Sequence, residues 1–578
     1  MIYLENHQLL LSGNKMKKDK ENQYKKWSHD ELVNEIIRLQ SKKKFGLVWD
    51  QKDENIIQDC VQNYPTLVEK KTKRINSDQD KNHNFLIEGD NFHSLYTLSF
   101  THKNKIDIIY IDPPYNTGAR DWKYNNDYVD SEDPYRHSKW LSMMYSRLYL
   151  AKNLLKDDGV LICTIDFNEQ ERLGLLLEDL FVSYEIKCIT IVHNPSGTQG
   201  LNFSNSNEYA YFVFPKGGKY IADEIRDKGT VSPFRDWGDE TSLREGGKNC
   251  FYPIYVKDNK ILDFGDVCED DFKPSANETN KEGITAVYPI DNSGTERKWR
   301  FARQSVEEIK DELFCQNNKD TNFIEIKRNK NKYNYKTVWD SPKFFANNHG
   351  TQLLNRILKD KFPYPKSLYA VMECIKAAEY NKKDALILDF FAGSGTTGHA
   401  VLELNKLDNQ NRNFILCTNN ENKICSNITY PRLKKVINGY KDLKDGKSIK
   451  GIKANLVYLK EKFTKKDNTD SEKRNLAEEM IPLICLKEDA YDEIKSNRSY
   501  YFYEGKKNNI GILLDFEKLP HFKDFISNSK KTFILYIFSL SEDDFQDEFR
   551  DIKNIDKIIS IPDSLISLYR RLEKNDYS

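Results

Sequence analysis

The chain has 578 residues, and its 89 Lys and Arg are balanced by 89 Asp and Glu, so the formal net charge is zero. A length of this size predicts about three or four domains, and the 38% hydrophobic and 12% aromatic content excludes a chain disordered throughout. Neutrality also excludes a nucleic-acid binder recognisable by bulk basicity, but not one with a local basic groove. No apolar stretch approaches the ~20 residues that span a bilayer; Phe533 to Phe538 is among the longest. The N-terminus turns lysine-rich by Lys15 without a signal-peptide pattern. Ten scattered cysteines form no CxxC pair, which argues against a disulfide framework or zinc site and makes a reducing cytoplasm the default. His193, His349 and His399 are isolated and read as structural or surface residues.

Residues 1–80 form a polar N-terminal arm. A helix is predicted at Ser28 to Leu39, capped by Ser28 with a stripe of Leu32, Ile36, Ile37 and Leu39. The basic run Lys15 to Lys26 reads either as a solvated arm or as a phosphate contact. From Phe85 short apolar runs alternate with amphipathic helices, the pattern of a parallel α/β sheet. Strands are predicted at Phe85–Ile87, Asp107–Ile111, Val160–Ile165 and Ile186–Val192, with helices at Phe92–Phe100, Trp140–Leu155 and Glu169–Phe181. These make up a first half over 81–194.

The rhythm is lost over 195–348, a polar, aromatic and Gly/Asn-rich stretch that reads as an insertion, with strand-like pieces at Tyr209–Phe214 and Asn322–Ile326. It returns over 349–440 with a helix at Ser367–Tyr380, a strand at Ala385–Asp389, a helix at Thr396–Leu404 and a strand at Phe414–Cys417. Residues 441–578 predict a small α/β domain with strands near Tyr500–Tyr503, Ile510–Phe516, Phe533–Ser539 and Lys557–Ile561.

Two constellations carry chemistry. In the first, the strand Ile108 to Ile111 runs into Asp112-Pro113-Pro114-Tyr115-Asn116-Thr117-Gly118. Ligands bind at that end of strands in open α/β sheets. Two prolines fix φ and remove both N–H groups, leaving a rigid platform with free carbonyls. Asp112 and the Pro113 carbonyl offer two acceptors one amino group apart, and Tyr115 offers a flat face, which suits an exocyclic amine on a base taken out of its stack. A strand-ending turn with an Asp cap is the plainer alternative.

In the second, the strand Ala385 to Leu388 leads through Asp389-Phe390-Phe391-Ala392-Gly393-Ser394-Gly395 into Thr396-Thr397-Gly398. Gly393 and Gly395 allow close backbone approach, and Thr396 and Thr397 are placed to cap the following helix. No Lys-Ser/Thr follows the last glycine, so this is not a Walker A loop. A nucleotide-like ligand is the natural reading, and a tight strand–helix turn the plain one.

Together the two resemble the DPPY catalytic motif and the D-P-F-x-G-S-G cofactor motif of amino-methylating DNA methyltransferases, in the order of the β group. Glu88-Gly89-Asp90-Asn91, Asn207-Glu208-Tyr209 and Phe362-Pro363-Tyr364-Pro365-Lys366-Ser367 match further segments of that family. Length and a late third domain look most like the modification subunit of a type III restriction system. The resemblance implies a doubly wound, mostly parallel α/β sheet with an inserted target-recognition region and a small C-terminal α/β domain. It implies Asp112, Pro113, Pro114 and Tyr115 as catalytic residues. It implies Asp90, Lys366, Ser367, Asp389, Phe391, Gly393, Ser394, Gly395, Thr396, Thr397 and Asn419 as contacts to S-adenosylmethionine, and no metal. Phe390 stands where the family has Pro, and either Asn419 or Glu421 takes the place of its ribose-binding carboxylate.

The implied activity is methyl transfer to adenine N6 in duplex DNA by base flipping. Cytosine N4 or RNA as target, a non-catalytic recognition subunit and a plain nucleotide-binding α/β enzyme are the alternatives. Implied partners are duplex DNA, a restriction subunit supplying ATPase and nuclease activity, and a second copy contacted through the C-terminal block. In the insertion, Arg235, Arg244, Lys248, Arg297, Arg300 and Arg303 are candidates for phosphate or guanine contacts, of which one or two are expected to serve. A neutral chain that binds DNA is expected to segregate its acids into the C-terminal block and outer helices, leaving a positive cleft.

Overall fold

The computed structural model describes residues 27–29, 31–33, 49, 54–78, 82–317, 323–466, 469–540 and 545–574. The Lys15–Lys26 run and most of the helix expected after Ser28 lie outside them. Within 27–33, Ser28 and Glu31 do form the reciprocal cap of a helix start: the Ser28 amide donates to Glu31 Oε2 at 2.7 Å, and the Glu31 amide to Ser28 Oγ at 3.2 Å. Among the described residues no helix is long and apolar enough to cross a membrane.

Ten strands make the central sheet: β1 (Asn63–Glu69), β2 (His83–Glu88), β3 (Ile106–Ile111), β4 (Leu155–Ile165), β5 (Tyr184–Val192), β6 (Asn207–Pro215), β7 (Val338–Trp339), β8 (Leu386–Asp389), β9 (Asn413–Thr418) and β10 (Asn455–Lys465). Their spatial order is β1-β10-β2-β9-β8-β3-β4-β6-β5-β7. From β10 to β4 every pairing is parallel, and β6 runs antiparallel between β4 and β5. Helices α1 (Asn91–Thr101), α2 (Arg136–Lys152), α3 (Gln170–Leu180), α4 (Leu368–Ala377), α5 (Thr396–Asp408) and α6 (Tyr430–Asn438) connect these strands. The central strands β3, β8 and β9 are apolar and buried, as a sheet covered on both faces requires. The chain is thus a doubly wound, mostly parallel α/β protein.

Three boundaries differ from the sequence reading. The insertion expected from 195 contributes β6 and β7 to the central sheet; the strand-like piece at Tyr209–Phe214 is β6, and its Ala210 to Phe214 are buried there rather than in a separate insertion. Likewise β1, from the arm, and β10, from the C-terminal block, form one antiparallel edge of the sheet, Asn63 opposite Lys465. The helix expected to reach Leu155 stops at Lys152, because Leu155 already pairs with Ile106.

Between β6 and β7 lie two small sheets. Asp223–Pro233, Ile324–Asn334 and Leu313–Asn317 form one, and four strands within 254–287 form the other. They enclose their own core, with Phe234 stacked on Trp299 at 5.4 Å and the Trp299 indole donating to the Tyr252 carbonyl at 2.8 Å. The C-terminal five-stranded sheet runs in the order Asp492–Ser496, Tyr500–Glu504, Asn509–Leu513, Phe533–Phe538, Ile555–Ile561. Its last helix, α7 (Asp563–Lys574), brings Tyr569 against Tyr96 of α1, ring centroids 4.6 Å apart, and the Tyr569 hydroxyl donates to the Pro65 carbonyl at 2.9 Å.

Charge is not segregated as expected. Residues 441–578 hold 26 basic and 26 acidic residues, while 81–194 hold 12 and 17 and 349–440 hold 13 and 8. Neutrality arises by local pairing instead: buried Arg412 meets both Glu379 and Asp408, and buried Arg147 meets Glu54. A buried guanidinium needs a carboxylate close by, so acids are spread with the bases they serve.

Candidate active site

Strands β3 and β8 lie side by side, Ile108 opposite Ile387 and Ile109 opposite Leu388. Parallel pairing in this register brings the two chemistry-bearing turns to one edge of the sheet. Asp112 follows β3 and Asp389 ends β8; burial raises the pKa of Asp389, and the Asp112 carboxylate adds to that upward shift.

The Asp112 turn is pinned from behind. The indole of Trp140, fully buried in α2, donates to the Pro114 carbonyl at 2.7 Å, and the Thr164 hydroxyl donates to Asp112 Oδ1 at 2.7 Å. Among the described residues no hydrogen bond reaches Asp112 Oδ2 or the Pro113 carbonyl. About a quarter of the Asp112 side chain, 26%, stays open to solvent. Two acceptors are therefore left unbonded at the turn, one on the partly exposed Asp112 and one on the buried Pro113.

One ammonium joins three distant segments. Lys366 Nζ lies 3.2 Å from Asp112 Oδ1, contacts Glu208 and the Tyr115 hydroxyl directly, and sits 4.6 Å from the centre of the Tyr115 ring. The Tyr115 hydroxyl donates to Glu208 Oε2 at 3.0 Å. Burial disfavours the Lys366 charge, but the Asp112 and Glu208 carboxylates overrule it and hold its pKa above the ordinary lysine value. Burial likewise opposes the Glu208 charge, yet Lys366 and His193 bring that carboxyl below its usual range. Asp112 ends raised: burial outweighs Lys366, and Glu208 adds repulsion. Lys366, expected among the cofactor contacts, thus belongs to the Asp112 cluster. Ser367 beside it is buried, its hydroxyl donating to the Lys343 carbonyl at 3.0 Å.

The second turn closes on Asp389. Its Oδ1 accepts from the Phe391 amide at 2.9 Å and its Oδ2 from the Thr397 hydroxyl at 2.5 Å. Gly393 and Gly395 adopt left-handed φ of 46° and 76°. Thr396 and Thr397 do not cap α5 as expected; Gly395 occupies the cap position, and the hydroxyls tie the turn to Arg432 and Asp389 instead. Ser394 is buried and Phe391 half-buried. Phe390, in place of proline, is fully buried. At the ends of the neighbouring strands, Asp90 caps α1 by accepting from the Phe92 amide at 2.7 Å, and Asn419 is exposed just past β9. Glu421, the other candidate for that position, is engaged by Lys123.

Residues 106–430 match the family described as DNA methylase, N6_N4_Mtase. The chain belongs to that family. It is 30% identical over 451 residues to the EcoPI Mod subunit, a type III restriction-modification enzyme of Escherichia phage P1, covering 68% of this chain and 66% of that protein. The chain therefore spans just under two thirds of that relative's length. It is 32% identical over 364 residues to the type II methyltransferase M.KpnI of Klebsiella pneumoniae, covering 59% of this chain and 82% of M.KpnI. The solved M1.HpyAVI–SAM complex aligns over 61% of this chain and 98% of its own, at 13% identity and a TM-score of 0.28.

In this DNA methylase the Asp389 turn suits S-adenosylmethionine. Among the described residues no Lys or Arg reaches the buried Asp389 carboxylate, whose partners are neutral donors, and burial raises its pKa to about 7. An uncompensated carboxylate beside a glycine turn repels a phosphate and favours a ligand with an ammonium group.

Several supporting residues escape sequence inspection. Arg432 is fully buried in α6 and donates to Thr396 Oγ1 at 2.8 Å, Ser394 Oγ at 3.0 Å and the Ser394 carbonyl at 3.3 Å; burial lowers its pKa to about 9. Its one sequence signal is a cation on the same helix face as Leu433, Val436 and Ile437. Asn116, at φ 56°, donates to the buried Glu169 at 2.5 Å and accepts from the Trp122 indole at 3.0 Å, fixing the segment after Tyr115.

Affinity for S-adenosylmethionine should fall below pH 7. A protonated Asp389 must lose its proton to face an ammonium group, so binding weakens up to about tenfold per pH unit below about 7 and levels off above it. Calorimetric titration from pH 5.5 to 8.5 reads this, with Asp389→Asn expected to flatten the profile; a flat profile in the unsubstituted protein would contradict the assignment.

Proposed function

We propose that the protein transfers a methyl group from S-adenosylmethionine to adenine N6 in duplex DNA, as the modification subunit of a type III restriction system. The observation that carries the proposal is the pair of unbonded acceptors, Asp112 Oδ2 and the Pro113 carbonyl, beside Tyr115. Membership of the DNA methylase family and the similarity to the EcoPI Mod subunit support it. The DPPY wording favours adenine over cytosine N4.

S-adenosylmethionine, held by the Asp389–Thr397 turn with Asp90 and Asn419 at the adjoining strand ends, supplies an electrophilic methyl group on sulfur. The target base leaves the duplex and rests against the Tyr115 face that Lys366 does not occupy. Its amino group donates both hydrogens, one to Asp112 Oδ2 and one to the Pro113 carbonyl. Those two bonds draw the nitrogen away from conjugation with the ring and restore its lone pair. Alignment at about 3 Å then does most of the catalytic work. As the new N–C bond forms the methyl–sulfur bond breaks, its electron pair staying on sulfur as a neutral thioether. One N–H bond breaks as well, its proton passing to Asp112, whose raised pKa suits it as the acceptor, and then to solvent. Thr164 and Lys366 hold the carboxylate still while this happens.

The floor of the cleft is not positive as expected: Asp112 and Glu208 share Lys366, and Asp389 has only neutral donors among the described residues. Phosphate contacts are drawn instead from the inserted region. Of the six cations singled out there, Arg244, Lys248, Arg297, Arg300 and Arg303 are committed to nearby carboxylates. Arg235 has no side-chain partner among the described residues, and neither does Lys332 on the basic strand Ile324–Asn334.

Asp112→Ala should abolish methyl incorporation into DNA, by at least about a thousandfold, while binding of S-adenosylmethionine stays within about threefold; retained methylation in a filter assay would sink the assignment. The pair Arg235→Ala, Lys332→Ala should lower the salt dependence of DNA affinity by about two ions. An unchanged slope in fluorescence-polarisation titrations would remove both from the interface. Pairing with a restriction subunit and with a second copy completes the proposal; sedimentation as a single copy at micromolar concentration would contradict the second pairing.

A further inference from the structure

Between β5 and β6 the chain leaves the central sheet as a short hairpin. Thr198 pairs with Asn205 and Gln199 with Ser204, and the Gly200 amide donates to the Phe203 carbonyl at 3.1 Å to close the tip. At its foot the His193 and Asn194 amides both donate to the Ser206 carbonyl, at 3.2 and 3.1 Å. The hairpin is thus anchored on both sides. Its tip carries Leu201, fully exposed at 100%, and Phe203, exposed at 85%. Both apolar side chains stand in water on an ordered turn.

Residues 194–207 contain no charged side chain, in a chain that is 31% charged. The polar members, among them Gln199, Asn202 and Asn205, can both donate and accept hydrogen bonds. Immediately beyond the hairpin comes Glu208, buried against Tyr115 and Lys366. Phe203 is five residues from Glu208, a chain span of at most about 18 Å.

We propose that this hairpin is a wedge that enters the base stack of duplex DNA, with Leu201 and Phe203 filling the gap left when the target base is extruded. The assignment rests on the methyltransferase reading above. A flipped base leaves a flat apolar slot, and leucine and phenylalanine are side chains that occupy such slots elsewhere between base steps. The absence of acids lets the tip pass between phosphates without repulsion, and the flanking amides suit base edges and backbone oxygens. A protein partner would find no complementary charge on this run. Leu201 and Phe203 act on the duplex rather than on the reacting atoms, so they are positioning residues.

The test compares two duplexes carrying the methylated sequence, once sequencing of host DNA has defined it. In one the target adenine is paired with thymine; in the other it faces an abasic position and is already unpaired. The double substitution Leu201→Ala, Phe203→Ala should lower kcat/KM on the paired duplex by at least about tenfold, yet stay within about twofold of the unsubstituted protein on the unpaired one. Phe203→Trp should retain activity on both. Equal loss on both duplexes, or no loss on either, overturns the wedge. An unsubstituted protein inactive on both overturns the methyltransferase reading on which the wedge depends.

Discussion

The parallel pairing of β3 with β8 is the constraint on which the rest of the site depends. Residues 109 and 388 become neighbours through a register of two Cα pairs, so the turns that follow open at one sheet edge. Everything chemical is then a consequence of what those turns can and cannot bond. Two prolines deny the first turn its amides, and glycines with positive φ let the second fold tightly round Asp389. The order of strands either side, with β9 and β2 beyond β8, puts the ends of four strands along one groove. This is where an open α/β sheet accepts its ligand.

Within that frame a single buried ammonium holds the Asp112 side of the site together. Lys366 is bonded to residues 251 positions earlier at Tyr115 and 158 positions earlier at Glu208. Removing it would leave Glu208 buried without a counter-ion, a loss of about 3–5 kcal/mol. The arrangement has a chemical use as well as a structural one. Burial outweighs the attraction of Lys366 at Asp112 and Glu208 adds repulsion, which leaves Asp112 with a raised pKa and an unbonded Oδ2. The carboxylate that faces solvent is therefore the one prepared to receive a proton, and the one that is fully paired stays inert.

Much of this was legible in the sequence where chemistry and strand are contiguous. Asp112 to Tyr115 and Asp389 to Thr397 follow directly on apolar strands, so motif and position could be read together. What was hidden depends on partners far along the chain. Thr164 reaches Asp112 across 52 residues, Glu169 reaches Asn116 across 53, and Arg432 reaches Ser394 across 38. No local pattern announces such a bond. The sheet edges failed for a similar reason: β1 is a strand because it pairs with β10, which pairs in turn with β2. Charge misled because segregation was inferred from a total, whereas buried cations such as Arg147 and Arg412 draw acids into every part of the fold.

The central claim is that an amino group on adenine is held by Asp112 and Pro113 and receives a methyl group. Single-molecule sequencing of DNA from cells expressing the protein tests it most directly. The account predicts N6-methyladenine at one recurring sequence, absent from cells without the gene. N4-methylcytosine at that sequence would contradict the adenine assignment, and unmodified DNA would contradict the account as a whole.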